Sequence, residues 1–374
     1  MRPRVMLASR RGVEQLVWQA AQLEFEDVIA EVEDVAWCLP GPVVGGAGRR
    51  LAHGALNRAG RPLGRDRRND MRRPADPAEP ADLFFMICAD APGIGMLPHV
   101  ADHAKAARKR VAWIVELWSP QLPRVADYLR QLSHFDHVIV SNRSVVDAVA
   151  SITGVPCSYL PMAVNTDRYA PEAPGSPRRS IDVASWGRRL AGTHAPLVRA
   201  LSEGRLYYHF DTIGRAWELI DAVEHRLAQA SLLQRTRYSV VYRINDEPDR
   251  VDRTGGEESL TNRYFEALSA GTIMLGSAPD SVEWADCFPW PDAVVPIPAP
   301  APDIMSVIAE LDSDPARLDR ARAAAVSTFL HRHDWAHRWR DILRLVGMDE
   351  PPGLAERLAH LEARARPWDT AASL

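Results

Sequence analysis

Lysine is almost missing: of 45 basic residues only Lys105 and Lys109 are lysine, and arginine supplies the rest. Coding bias in a GC-rich genome explains the skew, but it has a chemical consequence. Any phosphate site in this chain must be built almost entirely from arginine and backbone amides. Cysteine is scarce as well. Cys38, Cys88, Cys157 and Cys287 are scattered with no C-x-x-C spacing, which argues against a disulfide framework or a zinc site and for small buried residues in a reducing compartment. No stretch approaches the roughly 20 apolar residues of a membrane span. The opening Met1-Arg2-Pro3-Arg4-Val5-Met6-Leu7-Ala8 carries too short an apolar run for a signal peptide. A soluble, cytoplasmic protein is expected. The net charge is only -4, with 25% of residues charged, so nucleic acid is not expected as a partner.

What is present is enough apolar sequence for two α/β domains: 46% of 374 residues are hydrophobic. Short apolar runs alternate with helical patterns, the rhythm of βαβ units and parallel sheets. Strands are expected at Val5–Ala8, Leu83–Cys88, Val111–Val115, His137–Val140, Ile181–Ala184, Tyr238–Tyr242 and Thr272–Leu275. Helices are expected near 12–24, 98–110, 145–152, 216–230, 260–270 and 315–347, with Ser141 or Asn142 capping the third and Gly271 closing the fifth. The Pro- and Gly-rich stretch 171–177 reads as a domain boundary. Residues 1–170 then form one domain, 171–330 a second, and 331–374 terminal helices packing back on the first. The segment 40–80 breaks the rhythm with Gly, Pro and many arginines. It reads as a flexible loop, or as an anion-binding flap touching an acceptor phosphate or a membrane surface.

The most informative stretch is Gly255-Gly256-Glu257-Glu258-Ser259-Leu260-Thr261-Asn262-Arg263-Tyr264-Phe265-Glu266-Ala267-Leu268-Ser269-Ala270-Gly271-Thr272. Glu258 and Glu266 are the only glutamates eight apart in the chain. With Ser259 or Thr261 as cap, Glu258 lies at a helix mouth and Glu266 about two turns inside, an axial separation of roughly 12 Å. The free N–H groups of Ser259, Leu260, Thr261 and Asn262 would face an anion in front of the helix. By spacing alone, two glutamates on a solvated helix would serve as well. The flanking glycine loop and the buried strands on either side favour a site.

Glu258-x7-Glu266, continuing Ala267-Leu268-Ser269-Ala270-Gly271-Thr272, resembles the E-x7-E signature of retaining GT-B glycosyltransferases (group 1), with the CgeB-like spore-maturation proteins as the nearest flavour. A second block is similar to the interdomain passage of that family: His137-Val138-Ile139-Val140-Ser141, Gly154-Val155-Pro156 and Leu160-Pro161-Met162-Ala163-Val164-Asn165-Thr166-Asp167-Arg168-Tyr169-Ala170-Pro171. A third, Trp186-Gly187-Arg188-Arg189, looks like the G-R turn after the first donor-domain strand. The resemblance implies two Rossmann-like domains facing a cleft, the first binding the acceptor and the second the donor, with a last helix crossing back. It implies Glu266 on the ribose, Glu258 on the donor sugar and Arg188 on the diphosphate. The lysine usual a few residues after that arginine is absent; Thr193 and His194 occupy the region, and Arg189 or Arg243 would substitute. The implied reaction moves a sugar from a nucleoside diphosphate to an acceptor, retaining configuration and needing neither metal nor cofactor.

The acceptor side is less legible. His99, four residues before His103, reads as a site histidine, half of a metal pair, or a solvated or capping residue. Glu116, following a strand, would bind the acceptor or orient its hydroxyl, or else pair with Arg124. His331, His333 and His337 read as an exposed helix start. A small molecule, a glycan or a lipid-linked hydroxyl would serve as acceptor. Two rivals share this fold: a sugar-nucleotide epimerase or phosphorylase, and a non-catalytic partner protein.

Overall fold

In a computed structural model, described for residues 3–11, 13, 15–42, 71–75, 77, 79–212 and 218–373, the short apolar runs do become parallel strands. The chain divides into two units: Met1–Leu160 with Arg344–Asp349, and Pro161–Leu343 with Glu350–Leu374. Most of the Arg-rich segment, residues 43–70, 76 and 78, lies outside the described residues, and so does the flap expected there.

The first unit runs β1 (Val5–Ala8), α1 (Ala20–Val32), β2 (Val35–Cys38), a short antiparallel pair β3 (Gly41–Pro42) and β4 (Met71–Arg72), and β5 (Ala81–Asp90). It continues with α2 (Ala101–Ala106), β6 (Ala107–Glu116), α3 (Leu122–Arg130), β7 (His137–Val140), α4 (Val146–Thr153) and β8 (Cys157–Tyr159). The six-stranded sheet is ordered β2-β1-β5-β6-β7-β8 and is parallel throughout. Leu83 to Cys88 of β5 are buried without a break, as a central parallel strand covered on both faces requires. Phe25 of α1 packs edge-on against Phe85 and Trp113. Asn142 accepts from the Ser144 N–H and starts the turn that leads into α4.

The second unit holds α5 (Thr166–Tyr169), β9 (Ile181–Ser185), α6 (Ala191–Ser202), β10 (Tyr208–Phe210), α7 (Ala222–Gln234) and β11 (Thr236–Val241). Then come α8 (Val251–Thr254), α9 (Asn262–Ser269), β12 (Ile273–Gly276), α10 (Val282–Cys287), β13 (Val295–Pro296), α11 (Ile304–Asp312), α12 (Pro315–Arg332), α13 (Trp335–Leu345) and α14 (Pro352–Ala372). Its sheet is ordered β10-β9-β11-β12-β13, again parallel. Counted by their order within each parallel sheet, the strands run 2-1-3-4-5-6 and 2-1-3-4-5. The order therefore reverses between β1 and β5, and between β9 and β11. Those are the switch points where open α/β sheets bind ligands at the strands' carboxyl ends. Gly276 is required at the end of β12: a Cβ there would stand 1.7 Å from the Val241 carbonyl oxygen of β11.

Two expectations about organisation are corrected. The passage 161–170 belongs to the second unit, not the first. Its tie is Asp334, which is fully buried and accepts from the Thr166 N–H and hydroxyl, the Ala336 N–H and both Nε and Nη2 of Arg357. Arg338 adds bonds to the carbonyls of Pro161 and Met162. The last helix, α14, packs along α12 inside the second unit through Leu361, Ala365 and Trp368 against Ala323, Val326 and Leu330. No described helix is long and apolar enough to cross a membrane.

Candidate functional site

Three segments of the second unit end at the β9/β11 switch point: the turn Trp186–Arg189 after β9, the turn Tyr242–Glu247 after β11, and the loop Gly255–Thr261 leading into α9. Gly255 and Gly256 both take positive φ (66° and 80°), which glycine adopts without a Cβ penalty. Helix α9 therefore begins only at Asn262, with Thr261 as N-cap but no side-chain cap bond. Glu258 lies in the loop before the cap. Glu266 stands little more than one turn inside rather than two. The N–H groups of Asn262 and Arg263 have no acceptor within the helix, while the Tyr264 N–H turns back to the Thr261 carbonyl. Ser259 and Leu260 are loop residues upstream of that end.

Arg188 is the least satisfied cation of the site. Its Nε stands 3.2 Å from Glu247 Oε1 without hydrogen-bond geometry, and its buried Nη2 has no partner. Burial and the neighbouring Arg263 charge push its pKa down to about 10, against the pull of Glu247. Arg263, at the second position of α9, is 9% exposed and spends its donors on the carbonyls of Arg188 and Tyr242. Arg250 shares Glu247 at 3.3 Å. Arg188 and Arg250 thus share one carboxylate, and the Arg263 charge acts on it from a distance, beside the open amides of α9. Sequence reasoning passed over Arg263, Arg250 and Glu247. The available signal was an arginine just behind a glycine loop in a chain that has almost no lysine.

The other expected residues fare differently. Glu266 is 5% exposed, and its oxygens already accept from Arg226, from Trp186 Nε1 at 3.1 Å and from Gln229 Nε2 at 3.1 Å. Arg226 also lies over the Tyr169 ring, 4.8 Å from its centroid. A carboxylate has about four acceptor positions, so Glu266 is largely used up in fixing α7 and the Trp186 turn. Glu258 is more available: Arg243 Nη1 is 3.6 Å away, its Oε2 has no partner, and burial pushes its pKa up against the pull of Asn245 and Arg243. Arg243 forks onto Asp246 at 2.8 and 3.2 Å, and Ser277 also donates to that aspartate. Arg189 is bound to Asp211, which takes the Gly187 N–H as well. Neither arginine stands in freely for the missing lysine. Thr193 and His194 bond to the hydroxyls of Tyr242 and Tyr208, as parts of the packing.

His99 and Glu116 lie in the first unit. His99 ends a 3-10 run, Ala91–His99, that Asp90 caps through the Gly93 N–H. Glu116 accepts from Trp118 Nε1 at 3.4 Å. Among the described residues no group of three or more His, Cys, Asp or Glu could hold a metal ion. Asp312-Ser313-Asp314 is the one Asp-x-Asp triplet. Its first carboxylate is held by Arg237 and the Tyr238 hydroxyl, and its second caps α12. The histidines expected at an exposed helix start are mostly inside. His333 bonds the Cys287 carbonyl at 2.9 Å and packs against Phe265, Phe288 and Phe329, His337 is buried, and only His331 pairs at the surface, with Asp369.

Residues 188–344 match the family model described as glycosyl transferase-like, a span that holds every one of these arginines and both glutamates. Solved structures agree on the architecture. Anabaena Alr3699/HepE in complex with UDP-glucose matches with a TM-score of 0.53 at 11% identity, over 92% of this chain and 100% of that one. An alpha-glucosyltransferase in complex with UDP and a 13-mer DNA matches at 0.52 and 11%, over 92% and 99%. The fold is GT-B, as the E-x7-E resemblance implied. No curated protein sequence matches this chain.

Proposed function

We propose that the protein is a glycosyltransferase that binds a nucleoside diphosphate-sugar at the β9/β11 switch point and passes the sugar to a hydroxyl acceptor in the cytoplasm. The observation that carries this is Arg188, with a buried nitrogen lacking any partner, set beside Arg263 and the first amides of α9. As the sugar departs, the diphosphate gains negative charge. Guanidinium groups already in place stabilise it more than they stabilise the bound donor, which is how such groups accelerate a reaction. Arginine suits the task because its planar fork takes two phosphate oxygens at once.

Glu258, with one oxygen open, accepts from the hydroxyls of the donor sugar. Glu266 acts as a positioning residue: it fixes Trp186 and so the turn that carries Arg188. The first unit supplies the acceptor side, through Glu116 and His99. The acceptor is a small molecule, a glycan or a lipid-linked hydroxyl. Transfer is retaining and independent of a metal, in line with the E-x7-E resemblance. The three donors already on Glu266 are the observation that favours the non-catalytic rival.

Calorimetric titration with UDP tests the site. Arg188→Ala is expected to weaken binding about 100-fold, the scale of losing two charge-assisted hydrogen bonds. Arg189→Ala, whose arginine is occupied by Asp211, should change it less than about threefold. Equal affinity of wild type and Arg188→Ala would overturn the assignment. A radiolabelled UDP-sugar then separates the rivals: isomerisation without acceptor means an epimerase, and binding without any turnover means a non-catalytic protein.

A further inference from the structure

The same sheet has a second arginine-lined hollow at its opposite, amino-terminal edge. A cleft of about 610 Å³ lies between the segment before β9, helix α12 and helix α14. Its walls carry Arg178 and Arg179 on one side and Asp319, Arg320 and Arg322 on the other, with Trp368 beneath. The remaining lining is mainly proline and alanine, Pro177 and Ala323 among them. That volume suits a small organic ligand.

Two of its polar groups, on Arg322 and Trp368, are not satisfied from within. Arg179 spends its donors on the carbonyls of Leu233, Thr236 and Ala270, so its charge has no carboxylate in direct contact. Arg322 bonds Asp319 through Nη1 at 2.9 Å, but its buried Nε has no partner. Trp368 is 4% exposed, and its indole N–H also lacks an acceptor. Burial together with the Arg322 charge pushes Arg179 down to about 9, as two guanidinium groups facing one hollow would. Buried donors without partners are uncommon enough to need a reason.

We propose that this cleft binds a phosphate-bearing amphiphile, its phosphate on Arg320, Arg322 and the Trp368 N–H and its apolar part on the proline and alanine wall. The site is separate from the donor site and stands whether or not the donor reading holds. The same chemistry is offered by a soluble phosphate ester and by a phospholipid headgroup.

The test uses the full chain with glycerol phosphate in calorimetry, and vesicles of phosphatidylglycerol or phosphatidylcholine in co-sedimentation. Saturable binding of glycerol phosphate without vesicle binding assigns a soluble ester. Binding to phosphatidylglycerol but not phosphatidylcholine, displaced by glycerol phosphate, assigns a headgroup. In either case Trp368→Phe, which keeps the ring and loses the donor, should weaken binding about tenfold. The exposed charge reversal Arg320→Glu should weaken it at least as much, and UDP affinity should stay at the wild-type value in both variants. The proposal is overturned by no binding of either probe, or by binding that both variants leave unchanged.

Discussion

Both sheets reverse strand order in the same way, yet the first unit places a carboxylic acid beside its switch point where the second places arginines. After β1, Ser9 donates to Glu26 of α1 at 2.5 Å, and Arg11 stands 3.5 Å from the same carboxyl. Burial outweighs Arg11 and pushes Glu26 up to about 7. At the β9/β11 switch point, Arg188 and Arg263 are arginines pushed down, the first to about 10. One topology thus places a buried carboxyl at one switch point and a cluster of guanidinium groups at the other. A few residues past the strand ends make that difference, which is why fold alone does not specify chemistry.

The comparison can be broken hardest at Asp334. Asp334→Ala leaves Arg357 buried without its partner, and a loss of about 3–5 kcal/mol is expected in the second unit. Urea unfolding should show that unit melting early while the first keeps its own transition. Coincident wild-type transitions would mean that the knot does not hold 161–170.

Next is pH, where the two units should respond with opposite signs. Glu26 stays protonated in the folded state up to about 7, while the unfolded chain ionises near 4.5. The first unit therefore loses up to about 3 kcal/mol as pH rises through that window, and Glu26→Gln should flatten the slope. In the second unit, burial pushes His337 down to about 4. The folded state excludes a proton that the unfolded chain takes up below 6.5, so stability falls by a similar amount as pH drops from about 6.5 to 4. Calorimetric melting at pH 5 and pH 7.5 should move the two transitions in opposite directions. A common direction would sink the contrast.

The smallest effect sharpens the local reading. Asp221 accepts from the Val223 and Glu224 N–H groups at the start of α7, the helix that presents Arg226 and Gln229 to Glu266. Asp221→Ala should cost about 1 kcal/mol, measurable in denaturant, with little change in UDP affinity.

Much of this was legible beforehand where one physical cause dominated. β1 and β7 are readable to the residue because apolar side chains in a row, four in β1 and three after His137 in β7, are buried in a parallel sheet. Elsewhere a tertiary cause overrode a local one. Ala107 to Arg110 look helical by composition, yet pairing with Ala81–Phe84 makes them the start of β6. The tail breaks at His333 and Asp334 because Asp334 is drawn inside by Thr166 and Arg357, partners far away in sequence. At the candidate site, the spacing of Glu258 and Glu266 points to a loop and helix whose surroundings it does not describe. It could not reveal that Arg226, Trp186 and Gln229 would occupy Glu266, nor that Arg263 would turn inward from a helix start.

The bond between Asn165 and Arg357 spans 192 residues, and this sets a timetable. At about 5–20 residues per second, the ribosome needs roughly 10–40 s between making the first partner and the second. The first unit's sheet strands are all made before that wait begins. The second must sit unclosed throughout it, with its arginines and apolar faces open to chaperones. Chains stalled short of Arg357 should lose that unit to protease and keep the other.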